Sequence, residues 1–250
     1  NNLLSMGFRG EALSTITSVS RGHVATKFLD ESIASEISYD ENGKSEIRSV
    51  AKEGGTTVRV ENLFFNIPVR KKYLKTAQTE YRKIYEIFLQ YILIHPEIRF
   101  VLEKDGKVVE KIEKVNDSSP KVITQERIRK VIGNEEVLKI FSDGAGIKID
   151  GYIGHPSTHR NKSSKSYIFV NGRCIVDRGI TRSIYEGFSR YLPFGEKVDF
   201  VISINLTPEI VDVNVHPRKE EVRFENPFRV YSAITEAVRH TLEKELSFKA

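Results

Sequence analysis

Apolar residues recur at helical spacing in five stretches of this chain, and shorter alternating runs separate them. Ala12, Leu13, Ile16 and Val19 predict a helix over Gly10 to Val19, directly behind the run Gly7-Phe8-Arg9-Gly10. Alternation over Ala34 to Tyr39 and Glu46 to Val50, around the polar stretch Asp40 to Lys44, predicts a hairpin. Thr56 to Glu61, with Val58 and Val60 on one face, reads as the next strand. From Thr79 to Leu93, Tyr81, Ile84, Tyr85, Phe88, Leu89 and Ile92 form one stripe of a core-facing helix, stopped by His95-Pro96. Phe100 to Glu103 and Lys107 to Ile112 flank Asp105-Gly106, a favoured pair for a two-residue hairpin turn.

The second half has its own rhythm. A helix over Gln125 to Ile132 closes at Gly133, and strands follow at Ile147 to Ile153 and Tyr167 to Val170, before a turn at Asn171-Gly172. A helix over Asp177 to Tyr191 sets Ile180, Ile184, Tyr185, Phe188 and Tyr191 inward, with Arg178, Arg182 and Arg190 on its other face. Strands near Val198 to Leu206, Val211 to Val215 and Val222 to Phe224 precede a last helix, capped by Asn226-Pro227 and reaching about Leu246. The fold class is therefore α+β, and strand, helix, strand in this order favours a right-handed crossover. Asn116-Asp117-Ser118-Ser119-Pro120 is the candidate linker, giving domains at 1–116 and 117–250.

Composition narrows the picture only a little. The 250 residues, 39% hydrophobic and 29% charged, fit a globular protein. No apolar run reaches the ~18 to 20 residues of a membrane helix, so no membrane partner is expected. Cys174, the single cysteine, cannot form an internal disulfide and reads as an inert buried thiol in a reducing compartment. A net charge of +5 permits contact with a polyanion but is equally an ordinary solvated surface. The chain begins Asn-Asn rather than Met, and its first residues read as the middle of an element, so a fragment whose start is missing is expected.

Gly7-Phe8-Arg9-Gly10-Glu11-Ala12-Leu13 carries the sharpest chemistry. Glycines turn the backbone N–H groups outward, and the following helix N-terminus adds partial positive charge, a combination suited to phosphate; a plain glycine cap is an equal reading of the same residues. It is neither a Walker loop nor a dinucleotide fingerprint. His155 and His159 are four apart, but Pro156-Ser157-Thr158 between them reads as a loop, so no metal site is expected. No G-x-S-x-G elbow supports a hydrolase triad.

G-F-R-G-E-A-L resembles the third ATP-binding motif of the MutL family of DNA mismatch repair proteins, within the GHKL superfamily. Four further strings in order carry the resemblance: Gly55-Thr56-Thr57-Val58, Leu63 through Lys72, Phe169-Val170-Asn171-Gly172-Arg173, and Val211 through Lys219. It implies the rear part of a GHKL ATPase α/β sandwich, followed by a ribosomal-protein-like transducer domain with a βαβ crossover. It also implies that Gly7, Phe8, Arg9 and Gly10 form an ATP lid, that Thr57 joins hydrogen bonds around the adenine, and that Lys219 reaches the γ-phosphate. Without the family, Thr57 reads equally as a threonine satisfying its strand neighbours, and Lys219 as a solvated strand-end charge. Arg178 matches a DNA-contacting arginine of the family, and Arg182 stands one helical turn away; pairing of Arg182 with Glu186 is the structural alternative.

The implied cofactors are ATP and Mg2+. The implied partners are DNA held by its backbone, a MutS-type mismatch recognition protein, and a second copy or a paralogue. The implied location is the bacterial cytoplasm near the nucleoid, or the nucleus in a eukaryote. The family's general base and magnesium ligand would precede Asn1, so this polypeptide alone is expected not to hydrolyse ATP. The competing reading is a nucleic-acid-binding scaffold without nucleotide chemistry, and the G-F-R-G-E-A-L and G-T-T-V strings favour the ATP-driven switch over it.

Overall fold

In the computed structural model, residues 11–39, 45–115, 123–133, 136–161, 163–207, 210–212 and 222–247 are described. Packing divides the chain into two compact units, Asn1–Lys83 and Ile84–Ala250. The linker expected at 116–120 lies outside the described residues.

The first unit opens with helix α1 (Ala12–Ser18), then strands β1 (Arg21–Lys27), β2 (Ala34–Tyr39), β3 (Ser45–Val50) and β4 (Gly55–Glu61), and the short helix α2 (Pro68–Tyr73). The strands form one antiparallel sheet in the order β3-β2-β1-β4. Register fixes its two faces, because residues directly opposite across strands share a face. Gly22, Val24 and Thr26 of β1 stand opposite Val60, Val58 and Thr56 of β4. Gly22 and Val24 also stand opposite Tyr39 and Ile37 of β2. This apolar face carries α1: a methyl group at Gly22 would lie 3.1 Å from Thr17 and 3.0 Å from the Tyr39 ring. The other face is polar, with His23 paired to Glu36 at 3.2 Å, and Thr57 opposite Ala25.

Helix α3 (Ala77–Ile94) begins in the first unit and ends in the core of the second. The expected stripe holds at Leu89 and Ile92, which are buried, but Ile84 is exposed. The helix is apolar on a second side as well, through Ile84, Ile87 and Tyr91, so periodicity alone could not tell the core face from the outer one.

In the second unit, β5 (Phe100–Lys104) and β6 (Lys107–Ile112) form the predicted hairpin. Its turn places Asp105 at φ 51° and Gly106 at φ 74°, the left-handed pair that a two-residue turn matching strand twist requires. Helix α4 (Gln125–Ile132) starts where the Thr124 hydroxyl accepts the Arg127 N–H, and it ends at Gly133. Strands β7 (Val137–Gly144), β8 (Ile147–Gly154), β9 (Ser166–Val170) and β10 (Arg173–Ile175) follow, then helix α5 (Arg178–Gly187) and β11 (Phe200–Leu206). The short β12 (Val211–Asp212) pairs with β13 (Arg223–Phe224), and helix α6 (Pro227–Ser247) closes the described chain.

These strands form a five-stranded sheet in the order β10-β9-β11-β8-β7, with β9 and β11 parallel and α5 in the crossover between them. The sheet is buried on both faces, which explains the unbroken apolar run Tyr167 to Val170. Ile168, Val170, Phe200, Ile202 and Ile204 face α5 and α6, where they meet Ile180, Ile184, Phe188, Ile234 and Val238. Tyr167, Phe169 and Val201 face the other way, against Leu89, Ile92 and Leu93 of α3 and Ile128 and Val131 of α4. Buried Arg127 ties this layer together by donating to the carbonyls of Pro96, Ile98 and Glu113.

Candidate functional site

The string Leu63 to Lys72 meets the far end of α1, the helix in which the glycine string ends. The Phe64 N–H donates to the Val19 carbonyl at 2.6 Å, and the Asn66 side-chain amide donates to the Ser18 carbonyl at 2.9 Å. The last carbonyls of a helix have no intrahelical partner, so these bonds satisfy groups that would otherwise face water. Phe64 adopts φ 63° to make its bond, a conformation that costs a non-glycine residue about 1 kcal/mol or more. Leu63 to Lys72 therefore acts as a brace for the helix that follows Gly7–Gly10. The sequence held the string but not this task, and Asn66 escaped notice because its partner lies 48 residues away.

Gly7, Phe8, Arg9 and Gly10 lie outside the described residues, as does Lys219. Strands β12 and β13, which flank the Lys219 segment, pair through Val211 with Phe224 and Asp212 with Arg223. Thr57 is exposed on β4, on the sheet face away from α1. Its neighbour Thr56 is on the α1 face, where its hydroxyl lies 2.8 Å from that of Thr26. The family resemblance points to Thr57 as the adenine contact, and strand register sets Thr56 and Thr57 on opposite faces of the sheet.

Arg178 and Arg182 both stand on α5, which Asp177 caps by accepting the Ile180 N–H at 2.7 Å. Ile180, Ser183, Ile184 and Gly187 turn inward, leaving both arginines exposed. Arg178 occupies the first helical position, where a cation opposes the helix dipole and costs a few tenths of a kcal/mol, roughly. Helix stability therefore does not account for it. Among the described residues, neither arginine forms an ion pair, Arg182 with Glu186 included. The two histidines hold separate partners: His155 contacts the Ser157 hydroxyl at 2.7 Å, and His159 contacts Glu196 at 3.2 Å. Cys174 is half-buried on β10 and is the single cysteine of the chain.

The helices α5 and α6 cross closely. A methyl at Gly187 would lie 2.6 Å from Val238, and one at Gly179 would lie 2.3 Å from Tyr231, so glycine at both points sets the approach. Beside the crossing runs a groove of about 580 Å³, lined among others by Arg182 and Glu186 of α5 and by Tyr231, Glu236 and Arg239 of α6.

Residues 128–243 match the family of the DNA mismatch repair protein, C-terminal domain. Over 245 residues, 97% of its length, the chain is 33% identical to the DNA mismatch repair protein MutL of Phocaeicola vulgatus, and covers 38% of that protein. A solved structure, the Aquifex aeolicus MutL ATPase domain complexed with ADP, aligns at TM-score 0.63 and 29% identity, over 80% of this chain and 73% of that one. The topoisomerase IV ATP-binding domain of Francisella tularensis, at 14% identity and TM-score 0.52 over 98% of this chain and 69% of that one, shares the fold alone. The fold is thus that of the GHKL ATPase class. Within that class the chain belongs to the MutL family of DNA mismatch repair proteins. It spans about two fifths of the length of the curated relatives it matches.

Proposed function

We propose that this chain is part of an ATP-driven switch of mismatch repair, which binds DNA and couples mismatch recognition to processing of the strand. ATP with Mg2+ orders Gly7, Phe8, Arg9 and Gly10 as a lid, and Lys219 contacts the γ-phosphate, so that the terminal phosphate distinguishes ATP from ADP. The resemblance implies an adenine contact at Thr57; we assign it to the neighbouring Thr56, which shares the sheet face of α1. Residues 1–116 carry the nucleotide part and 117–250 the transducer. Arg178 and Arg182 hold phosphates of duplex DNA without reading bases, so binding is salt-sensitive and sequence-tolerant. A MutS-type recognition protein and a second copy or paralogue are the partners of this reading.

The observation that carries it is the brace on α1. The helix behind the glycine string is tied at its far end to a second motif string by Asn66 and Phe64, and it sits on the same sheet face as Thr56. A scaffold without nucleotide chemistry gives no reason for that connection.

The test measures duplex DNA affinity with and without a non-hydrolysable ATP analogue, in the protein and in its Lys219→Ala variant. A nucleotide-dependent change in affinity that Lys219→Ala abolishes is expected. Affinity indifferent to nucleotide in the unaltered protein would favour the nucleic-acid-binding scaffold instead.

A further inference from the structure

The groove between α5 and α6 holds a cation that the motifs do not single out. Arg239 projects from α6 into the same concavity as Arg182 of α5. Each has a carboxylate about one helical turn away on its own helix, Glu186 four residues after Arg182 and Glu236 three residues before Arg239. Among the described residues, neither guanidinium pairs with its neighbour or with any other acceptor. Glu236 instead accepts the Ser232 hydroxyl at 3.4 Å. Two guanidinium groups from different helices thus line one groove, which Glu186 and Glu236 line as well.

We propose that Arg182 and Arg239 together bind a backbone phosphate of duplex DNA in this groove, which makes Arg239 a phosphate-binding residue alongside the α5 arginines. The proposal rests on the reading of Arg178 and Arg182 as DNA contacts. The planar fork of a guanidinium matches two phosphate oxygens at once, and two such groups from opposite walls fix a phosphate more firmly than one exposed side chain does. With a volume of about 580 Å³, the groove admits a phosphodiester with its flanking sugars. Arg178, one turn before Arg182 on α5, extends the cationic row beyond the groove, as a strand with regularly spaced phosphates requires. The hydroxyls of Ser232 and Thr235 on the wall add neutral donors of the kind that contact phosphate oxygens. Glu186 and Glu236 oppose phosphate, and so hold the affinity of the groove below what its arginines alone would give.

The test is duplex affinity against salt concentration for the 250-residue chain and for Arg182→Gln, Arg239→Gln, Arg239→Lys and Glu236→Gln. Arg239→Gln is expected to weaken binding about three- to tenfold at low salt, and to reduce the slope of log affinity against log salt by about one. Arg239→Lys keeps the slope, and Glu236→Gln tightens binding. An unmoved slope in Arg239→Gln beside a reduced one in Arg182→Gln overturns the role of the groove while sparing the DNA reading. Unmoved slopes in both overturn the two together. Inorganic phosphate at constant ionic strength is the control for a free-anion site: if it quenches a probe in the groove while duplex does not, the proposal fails.

Discussion

The Asn66 side-chain amide donates to the Ser18 carbonyl at 2.9 Å, joining the end of α1 to the turn before α2 across 48 residues of sequence. Among the described residues none in α1 is fully buried, so this bond carries a large share of what holds the helix there. Asn66→Ala should therefore loosen this helix selectively, at a cost of about 1 kcal/mol. Hydrogen exchange is expected to rise in Ala12–Ser18 while β8 and β11 stay protected. Unchanged exchange in α1 would mean that the Phe64 bond holds the helix alone.

Thr56 and Thr57, adjacent in sequence, point to opposite faces of β4. The nucleotide of the proposed switch belongs on the face that carries α1, because the glycine string precedes that helix. Thr56→Val is therefore expected to weaken binding of an ATP analogue about three- to tenfold, the worth of one hydrogen bond, and Thr57→Val to leave it nearly unchanged. Calorimetric titration decides between them, and the reverse ranking would put the nucleotide on the polar face.

Much of this architecture is written in local pattern, and the exceptions have physical causes. Helices α5 and α6 were legible because each buries one clean apolar stripe and starts at a side-chain cap, Asp177 and Asn226. The turns at Asp105-Gly106 and Asn171-Gly172 were legible because few residue pairs adopt left-handed backbone twice in succession. Strand β7 was not: on the edge of its sheet, it buries only Ile140 fully, so its alternation is faint. Strand β1 was missed because Arg21–Lys27 is mostly polar and carries Gly22, a weak strand former placed there by the approach of Thr17 and Tyr39. The order of the five-stranded sheet depends on pairings between distant segments, which no window of sequence contains. Of the candidate site, the arginines of α5 were legible from spacing. Arg239 was not, since its significance comes only from the helix across the groove.

Gly187 lets α5 approach α6, and the space there is already filled. A methyl would sit 2.6 Å from two carbons of Val238 and 3.1 Å from the Thr235 carbonyl. Gly187→Ala gains helix propensity of at most ~1 kcal/mol but overpacks the crossing at a cost of roughly 1 to 3 kcal/mol, so a net loss of stability is expected. Urea unfolding should show a lower midpoint with an unchanged slope. Pairing the change with Val238→Ala, which opens the same space, should recover part of the loss that the two changes would cost independently.

Tyr167 lies buried on β9, and its hydroxyl donates to Glu86 on α3 at 3.1 Å. Burial, and then the nearby Glu86 carboxylate, push the phenol well above its ordinary value of 10.0. In the unfolded chain the same phenol ionises near that ordinary value, so above it the unfolded state has released a proton that the folded state still holds. The stabilisation is thus fully present below about pH 10 and is lost progressively as pH rises from there towards the folded value. Tyr167→Phe removes both the hydrogen bond and this titration. At neutral pH the variant should be about 1 kcal/mol less stable, while above about pH 10 its stability should fall less steeply than that of the unaltered protein, closing the gap. Urea midpoints taken from about pH 8 to about pH 11 test this. Parallel alkaline limbs in the two proteins would assign the alkaline loss to groups other than Tyr167.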